Sequence, residues 1–314
     1  MLALTIDHVT KRYGRHVVAD DLTFAVAPGR VTCFLGPNGA GKSTTMKILL
    51  DLARADHGSA TIGGTRYRDL ANPARAVGVV LEANAFHPAR SGRNHLRILA
   101  DGAGIDHDRI AQVLDGVGLT YAADRSVGGY SLGMRQRLGL AAALLGDPGV
   151  LVLDEPGNGL DPQGIRWLRE LLRERAAAGG TVFVSSHLLA EVEQLADDVV
   201  VINAGRLVAT GELAALQQAG TTVRTPEPDR LTTVLRTAGA TVRAGREGEL
   251  VVQGPSIDEV GDRACAARIA LHELAPRAGS LEELFLGWTS PGEAAAGGVP
   301  AATDPSTDRE PVLL

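Results

Sequence analysis

The sequence predicts an α/β protein built on a mainly parallel sheet, followed by a smaller α+β domain. Three continuous apolar runs, at residues 31–35, 150–153 and 181–184, carry the prediction. Such runs mark strands covered on both faces. Helical patterns separate them, which is the alternation that makes a sheet parallel. The third observation is length: 314 residues leave room for a second core beside the large one.

The elements follow in chain order. The first thirty residues read as a pair of short strands, 2–6 and 22–26, because apolar and polar positions alternate there. Pro28-Gly29 marks the turn into the buried strand 31–35. A helical run at 45–52 comes next, then a strand at 77–81. Residues 84–146 hold no strand of comparable strength. They carry apolar residues at helical spacing, first Leu96, Ile98 and Leu99, then Ile110, Val113, Leu114 and Val117. This stretch is expected to be a helical insertion in a core unit spanning 1–219. Residues 220–289 change texture, with strand-like segments at 222–224, 241–243 and 250–252 and helix-like segments at 228–238 and 257–267. From Ser290 on, Ala, Gly, Pro, Thr and Asp dominate, so 290–314 is expected to be a disordered tail.

Composition excludes several classes. At 45% hydrophobic and 22% charged residues the chain is an ordinary globular one, neither disordered throughout nor collagen-like. Thirty-one basic against 37 acidic residues give a formal charge of -6, which argues against a nucleic-acid binder. Cys33 and Cys265 are too few for a disulfide framework and have no metal-ligand spacing around them, which fits a reducing compartment. The longest weakly polar stretch, 138–146, is far short of the about 18–20 apolar residues that cross a bilayer. Asp7, His8, Lys11 and Arg12 interrupt any signal-peptide core.

The strongest chemical signal is Gly36-Pro37-Asn38-Gly39-Ala40-Gly41-Lys42-Ser43-Thr44, a phosphate-loop pattern set between a strand and a helical run. Glycines let the backbone curl so that its N–H groups face phosphate oxygens, and the helix N-terminus adds partial positive charge. Lys42 is then expected on the β- and γ-phosphates and the Ser43 hydroxyl on Mg²⁺. Only Lys11, Lys42 and Lys47 are lysines in this arginine-rich chain, so a compact ammonium at this position is not filler. The second signal is the run 150–153 ending in Asp154-Glu155. Ligands of open α/β sheets bind beyond the carboxyl ends of strands, which puts both acids beside the loop. Asp154 suits the Mg²⁺ shell, and Glu155 suits orienting or deprotonating an attacking water. There is no HExxH pattern among the eight histidines and no G-x-G-x-x-G fingerprint.

Over residues 1–215 these motifs, with four more in order, resemble the ATP-binding cassette (ABC) family. Tyr130-Ser131-Leu132-Gly133-Met134-Arg135-Gln136-Arg137 stands at the place of the family's signature, Asn158-Gly159-Leu160-Asp161 looks like its D-loop, and Ser185-Ser186-His187 looks like its switch histidine. Tyr13, in Lys11-Arg12-Tyr13-Gly14, sits where the family stacks a ring on adenine. The resemblance implies a P-loop NTPase core of the ABC ATPase kind, with an N-terminal antiparallel β subdomain and a helical insertion, plus the small C-terminal α+β domain. It implies ATP and Mg²⁺ held between two copies of the chain, with Ser131 and Gly133 of one copy facing the γ-phosphate on the other and Asp161 at the same junction. His187 would contact the γ-phosphate. Two departures stand out. The signature's usual Leu-Ser-Gly-Gly-Gln is here Tyr130-Ser131-Leu132-Gly133-Met134, and the Q-loop glutamine is replaced by Glu82, which keeps an oxygen for Mg²⁺ or its water while adding charge.

These variants, together with a small C-terminal domain ending in Ser280-Leu281-Glu282-Glu283-Leu284-Phe285, resemble the daunorubicin-resistance-type branch of multidrug exporter ATPases. That resemblance implies an ATPase subunit on the cytoplasmic side of the membrane, peripheral to it, joined to a separate transmembrane permease and acting as a homodimer without nucleic acid. Phe86, His87, Pro88, Arg90, Arg93 and Leu96 are the expected permease contacts. An importer ATPase subunit, or a soluble cassette protein that uses ATP as a switch, are the competing readings.

Overall fold

The computed structural model describes residues 2–81, 86–245, 248–278, 281, 282, 284 and 285. Glu82 and the tail 290–314 lie outside the described residues. In chain order, β1 (Leu4–Tyr13) and β2 (His16–Val26) form a hairpin, β3 (Val31–Leu35) leads through the glycine loop into α1 (Lys42–Leu49), and β4 (His57–Ile62) pairs with β1. A short α2 (Pro73–Ala76) precedes β5 (Val77–Val80). The insertion supplies α3 (Gly92–Ala103), α4 (Asp108–Gly116) and α5 (Leu132–Leu144). The core resumes with β6 (Val150–Asp154), α6 (Pro162–Ala177), β7 (Thr181–Ser186), α7 (Leu189–Leu195), β8 (Asp198–Asn203), β9 (Arg206–Glu212) and α8 (Leu213–Leu216). Last come β10 (Gln218–Arg224), α9 (Pro228–Thr237), β11 (Thr241–Ala244), β12 (Leu250–Gln253), α10 (Ile257–Ala266) and β13 (Glu273–Ala278).

The central sheet has the order β5-β6-β7-β3-β8-β9, parallel except for β9. Every residue of β3 and β7 is buried, as are the first four of β6, which is why these strands read as unbroken apolar runs. On one face of the sheet, the rings of Phe24, Phe34 and Phe183 pack with centroids 5.2–6.0 Å apart. On the other face the core continues into the insertion through Leu96, Leu114, Val117 and Leu138. Leu96, expected at a docking surface, has no exposed area; it faces this core, as the i, i+4 pair Leu96 and Ala100 requires.

The N-terminal strands differ from expectation in length. Both run about twice as far, because the hairpin continues to Tyr13 and His16 across a two-residue turn. Register shifts past Ile6, with His8 at φ 49° and Asp21 at φ 56°, break the alternation, so only the regular ends were legible as strands. Helix α1 begins at Lys42, three residues earlier than the apolar pattern suggested, because its first turn carries the polar loop residues.

The C-terminal unit has the order β-α-β-β-α-β and an antiparallel sheet β11-β12-β10-β13, a ferredoxin-like arrangement. Val223, Leu231, Leu235, Val252 and Val260 make its separate core. Strand β13 was not expected from the sequence. Pro276 interrupts its pattern, and it is tolerated because β13 is an edge strand that need not donate there.

Phe183 is fully buried within the ring cluster. Phe183→Ala is expected to lower unfolding free energy by about 3–5 kcal/mol in denaturant titration, the range for emptying a buried aromatic site.

Candidate nucleotide-binding site

The site begins where β3 ends. Gly41 caps α1 at φ 109°, a left-handed conformation, and a Cβ there would lie 2.2 Å from the Val18 carbonyl oxygen. Glycine alone satisfies both conditions. The loop is braced from two sides. The Gly205 N–H, in the turn between β8 and β9, donates to the Ala40 carbonyl at 3.1 Å, and the Ala40 N–H donates to the Pro37 carbonyl at 3.1 Å.

Lys42 is 6% exposed, and its Nζ donates to the carbonyl oxygens of Gly36 at 2.6 Å and Pro37 at 3.3 Å. Burial lowers its pKa from the ordinary lysine value, against the opposing pull of the Glu155 and Asp154 carboxylates. A cavity of about 220 Å³ opens over this ammonium, lined by Asn38, Gly39, Gly41, Ser43, Thr44, Asp154 and Glu155, with Val18 forming one wall. Gly36, Pro37 and Ala40 form the underside of the loop rather than the cavity wall.

The two acids are held by a serine. Ser185 Oγ, fully buried on β7, donates to Asp154 Oδ1 and accepts from the Glu155 N–H at 2.9 Å. Glu155 sits at φ 49°, a left-handed conformation that turns its backbone sharply at the end of β6. Its Oε2 pairs with His187 Nδ1 at 2.7 Å, so the histidine meets the cavity through this carboxylate. Glu191, on α7, lies behind them. Burial and then the nearby Glu155 charge push its pKa up from the ordinary glutamate value.

Ser131, Gly133 and Asp161 are not at this cavity. They line a second cleft of about 540 Å³ together with Tyr121 and Gly159. Ser131 caps α5 by accepting from the Met134 N–H at 3.2 Å, and the helix starts at Leu132. Asp161 caps α6 in the same way, accepting from the Gly164 N–H at 2.7 Å. A Cβ on Gly133 would lie 2.8 Å from the Gly159 carbonyl oxygen, so the signature and D-loop segments touch within one chain. Tyr13 is 52% exposed at the tip of the β1–β2 hairpin, with Lys11 Nζ 5.1 Å from its ring centroid, outside the 220 Å³ cavity.

Three contributors have roles that the sequence alone did not assign. Val18 has only its place in an irregular strand, which carries no signal. Ser185 stands in the quoted Ser185-Ser186-His187 segment, as the first hydroxyl after the apolar run, but was given no role there. Gln136 is 2% exposed and donates from Nε2 to the Pro156 carbonyl at 2.8 Å, tying α5 to the segment just after Glu155.

Residues 19–158 match the family profile described as ABC transporter. A lantibiotic transport ATP-binding protein, SrtF of Streptococcus pyogenes, is 38% identical over 211 residues, covering 67% of this chain and 90% of its own. The chain belongs to the ABC transporter family. A bacitracin transport ATP-binding protein, BcrA of Enterococcus faecalis, is 38% identical over 215 residues, covering 68% of this chain and 70% of its own. A solved structure described as an ATP binding subunit of an ABC transporter superposes with TM-score 0.64 at 27% identity, covering 83% of this chain and 99% of its own. Residues 219–282 match a profile described as a domain of unknown function, DUF8746. This ABC chain is therefore an ATPase of a transport system, and no described helix is long and apolar enough to cross a membrane.

The raised pKa of Glu191 sets a pH prediction. A carboxyl group with a raised folded-state pKa favours the folded state below its unfolded pKa, and that contribution is lost as pH rises through the folded value. Glu191→Gln is expected to raise Tm relative to the parent at neutral pH. The difference should vanish below the unfolded glutamate pKa of about 4.3, as thermal melts at both pH values would show.

Proposed function

We propose that this chain is the ATP-binding and ATP-hydrolysing subunit of a two-component exporter, held at the cytoplasmic side of the membrane by a separate permease. The observation that carries the chemistry is the phosphate-loop cavity with a buried ammonium on one side and two carboxylates on the other. The export reading rests on the antibiotic-transport relatives. An antibiotic is the cargo class their names suggest.

Loop N–H groups and Lys42 would receive the β- and γ-phosphates, with Thr44 at the cavity wall and Tyr13 against the base. The donor set fits Mg²⁺. Ser43 and Asp154 offer oxygen ligands, and among the described residues no cluster of three or more His, Cys, Asp or Glu could enclose a metal ion. A cation held by few protein oxygens plus phosphates and water is what Mg²⁺ prefers. It would neutralise phosphate charge, and Glu82 would be a further oxygen ligand. Glu155 would orient the attacking water and accept its proton, and His187, whose Nδ1 pairs with Glu155 Oε2, would contact the γ-phosphate.

The separation of the two clefts supports a homodimer in which Ser131, Gly133 and Asp161 of one copy complete the phosphate-loop cavity of the other. Because the Ser131 hydroxyl and the α5 N-terminus stand together, the second cleft is suited to an anion. The permease would dock at the cleft of about 330 Å³ lined by Leu52, Leu81, Phe86 and His95, which lies beside the exposed His87, Pro88 and Arg90 and so supports this reading. Arg93 is engaged by Asp124 at 2.8 Å and would play a smaller part. In this proposal residues 1–219 are the ATPase unit and 220–289 an accessory domain.

Glu155→Gln is expected to lower ATP turnover by about 10²-fold or more while the variant accumulates as an ATP-bound dimer in size-exclusion chromatography. Affinity purification of the full chain from its own membranes should bring down a multi-span permease. Unchanged turnover in the variant, or recovery of the chain without any membrane protein, contradicts the proposal.

A further inference from the structure

The accessory unit is attached to the ATPase core at an unexpected place. Gln217, the residue before β10, donates from Nε2 to Glu193 Oε1 at 3.3 Å. Leu281, just beyond β13, donates its backbone N–H to the same oxygen at 2.8 Å. Both ends of the unit are thus gathered on one carboxylate. The Leu281 side chain has no exposed area and, with the flanking Phe285, joins the main core rather than the accessory one.

Glu193 lies on α7, the helix that begins two residues after His187. On its other side α7 faces α6. Gln194 takes contacts from α6, where Arg169 donates to its side chain and Arg173 Nη2 donates to its carbonyl at 2.6 Å. Between α6 and α7 lies an open cleft of about 480 Å³, lined by Ile165, Leu168, Glu191 and Leu195 and reaching Ser185 and Glu155. Side chains that line such a cleft have fewer partner atoms than those in the close-packed interior. Val192 anchors α7 in the main core, so the helix face toward this cleft is the part that packing leaves least constrained.

We propose that Glu193 is a positioning residue, clamping α7 to both ends of the accessory unit so that His187 is held against Glu155. The unit of unknown function then acts on the switch histidine through one side chain, and anything that pulls residues 217 and 281 apart releases α7 toward that cleft. The proposal rests on the hydrolytic roles given above to His187 and Glu155.

The test uses the full chain with Glu193→Ala and Glu193→Gln, since the amide keeps an acceptor oxygen for both donors. Glu193→Ala is expected to lower kcat at least about fivefold with KM for ATP within about twofold, and Glu193→Gln to restore kcat to within about twofold of the parent. Hydrogen exchange in the same samples should be faster at residues 187–196 in Glu193→Ala alone. Unchanged exchange in that segment, or equal acceleration across the whole core, overturns the clamp. His187→Ala separates the two levels. If it leaves hydrolysis intact, the role of the histidine fails while the exchange result still decides the clamp. If it abolishes hydrolysis and Glu193→Ala matches the parent, the clamp fails alone.

Discussion

A buried ammonium held by its own loop is the constraint around which the rest of the structure is arranged. Lys42 bonds the carbonyls of Gly36 and Pro37, and its charge has little water to rely on. A buried charge is tolerable only when it is paired or hydrogen-bonded. Here the Gly36 and Pro37 carbonyl oxygens accept from it and two carboxylates lie across the cavity. An incoming phosphate offers the same cation better acceptors. The glycines, the brace from Gly205 and the wall at Val18 keep the loop from collapsing onto that charge.

The carboxylate side shows a matching economy. Ser185 uses one hydroxyl to hold Asp154 and to satisfy the backbone of Glu155, whose left-handed conformation would otherwise leave a buried N–H unpaired. His187 and Glu191 then crowd the same region, so every change in charge there is felt by several groups. Of these groups Glu191 lies on α7, which starts two residues after His187, and the accessory unit is tied to α7 at Glu193. The site and the C-terminal unit are parts of one mechanical arrangement although their cores are separate.

Much of this was legible in the residues because burial on both faces writes strands as continuous apolar runs. β3, β6 and β7 were plain for that reason, and β8 carries the same signal in Val199, Val200, Val201 and Ile202, although the reading passed over it. The motif residues of the loop were legible because their chemistry leaves little choice of side chain. What stayed hidden depends on irregular backbone or distant partners. The bulges at His8 and Asp21 disguised half of each N-terminal strand, and Pro276 disguised β13. Leu96 looked available for docking until its helix was seen to turn it inward. No local pattern announces that Gln217 and Leu281, 64 residues apart in sequence, converge on Glu193.

The central claim is that a nucleoside triphosphate is gripped by loop amides and the Lys42 ammonium. Isothermal titration of Mg²⁺-ATP into the parent protein and into Lys42→Ala tests it most directly. The account predicts saturable heat with one nucleotide per chain in the parent and its loss in the variant, with both proteins folded by circular dichroism. Absence of heat in the folded parent, or equal binding by the variant, would contradict it.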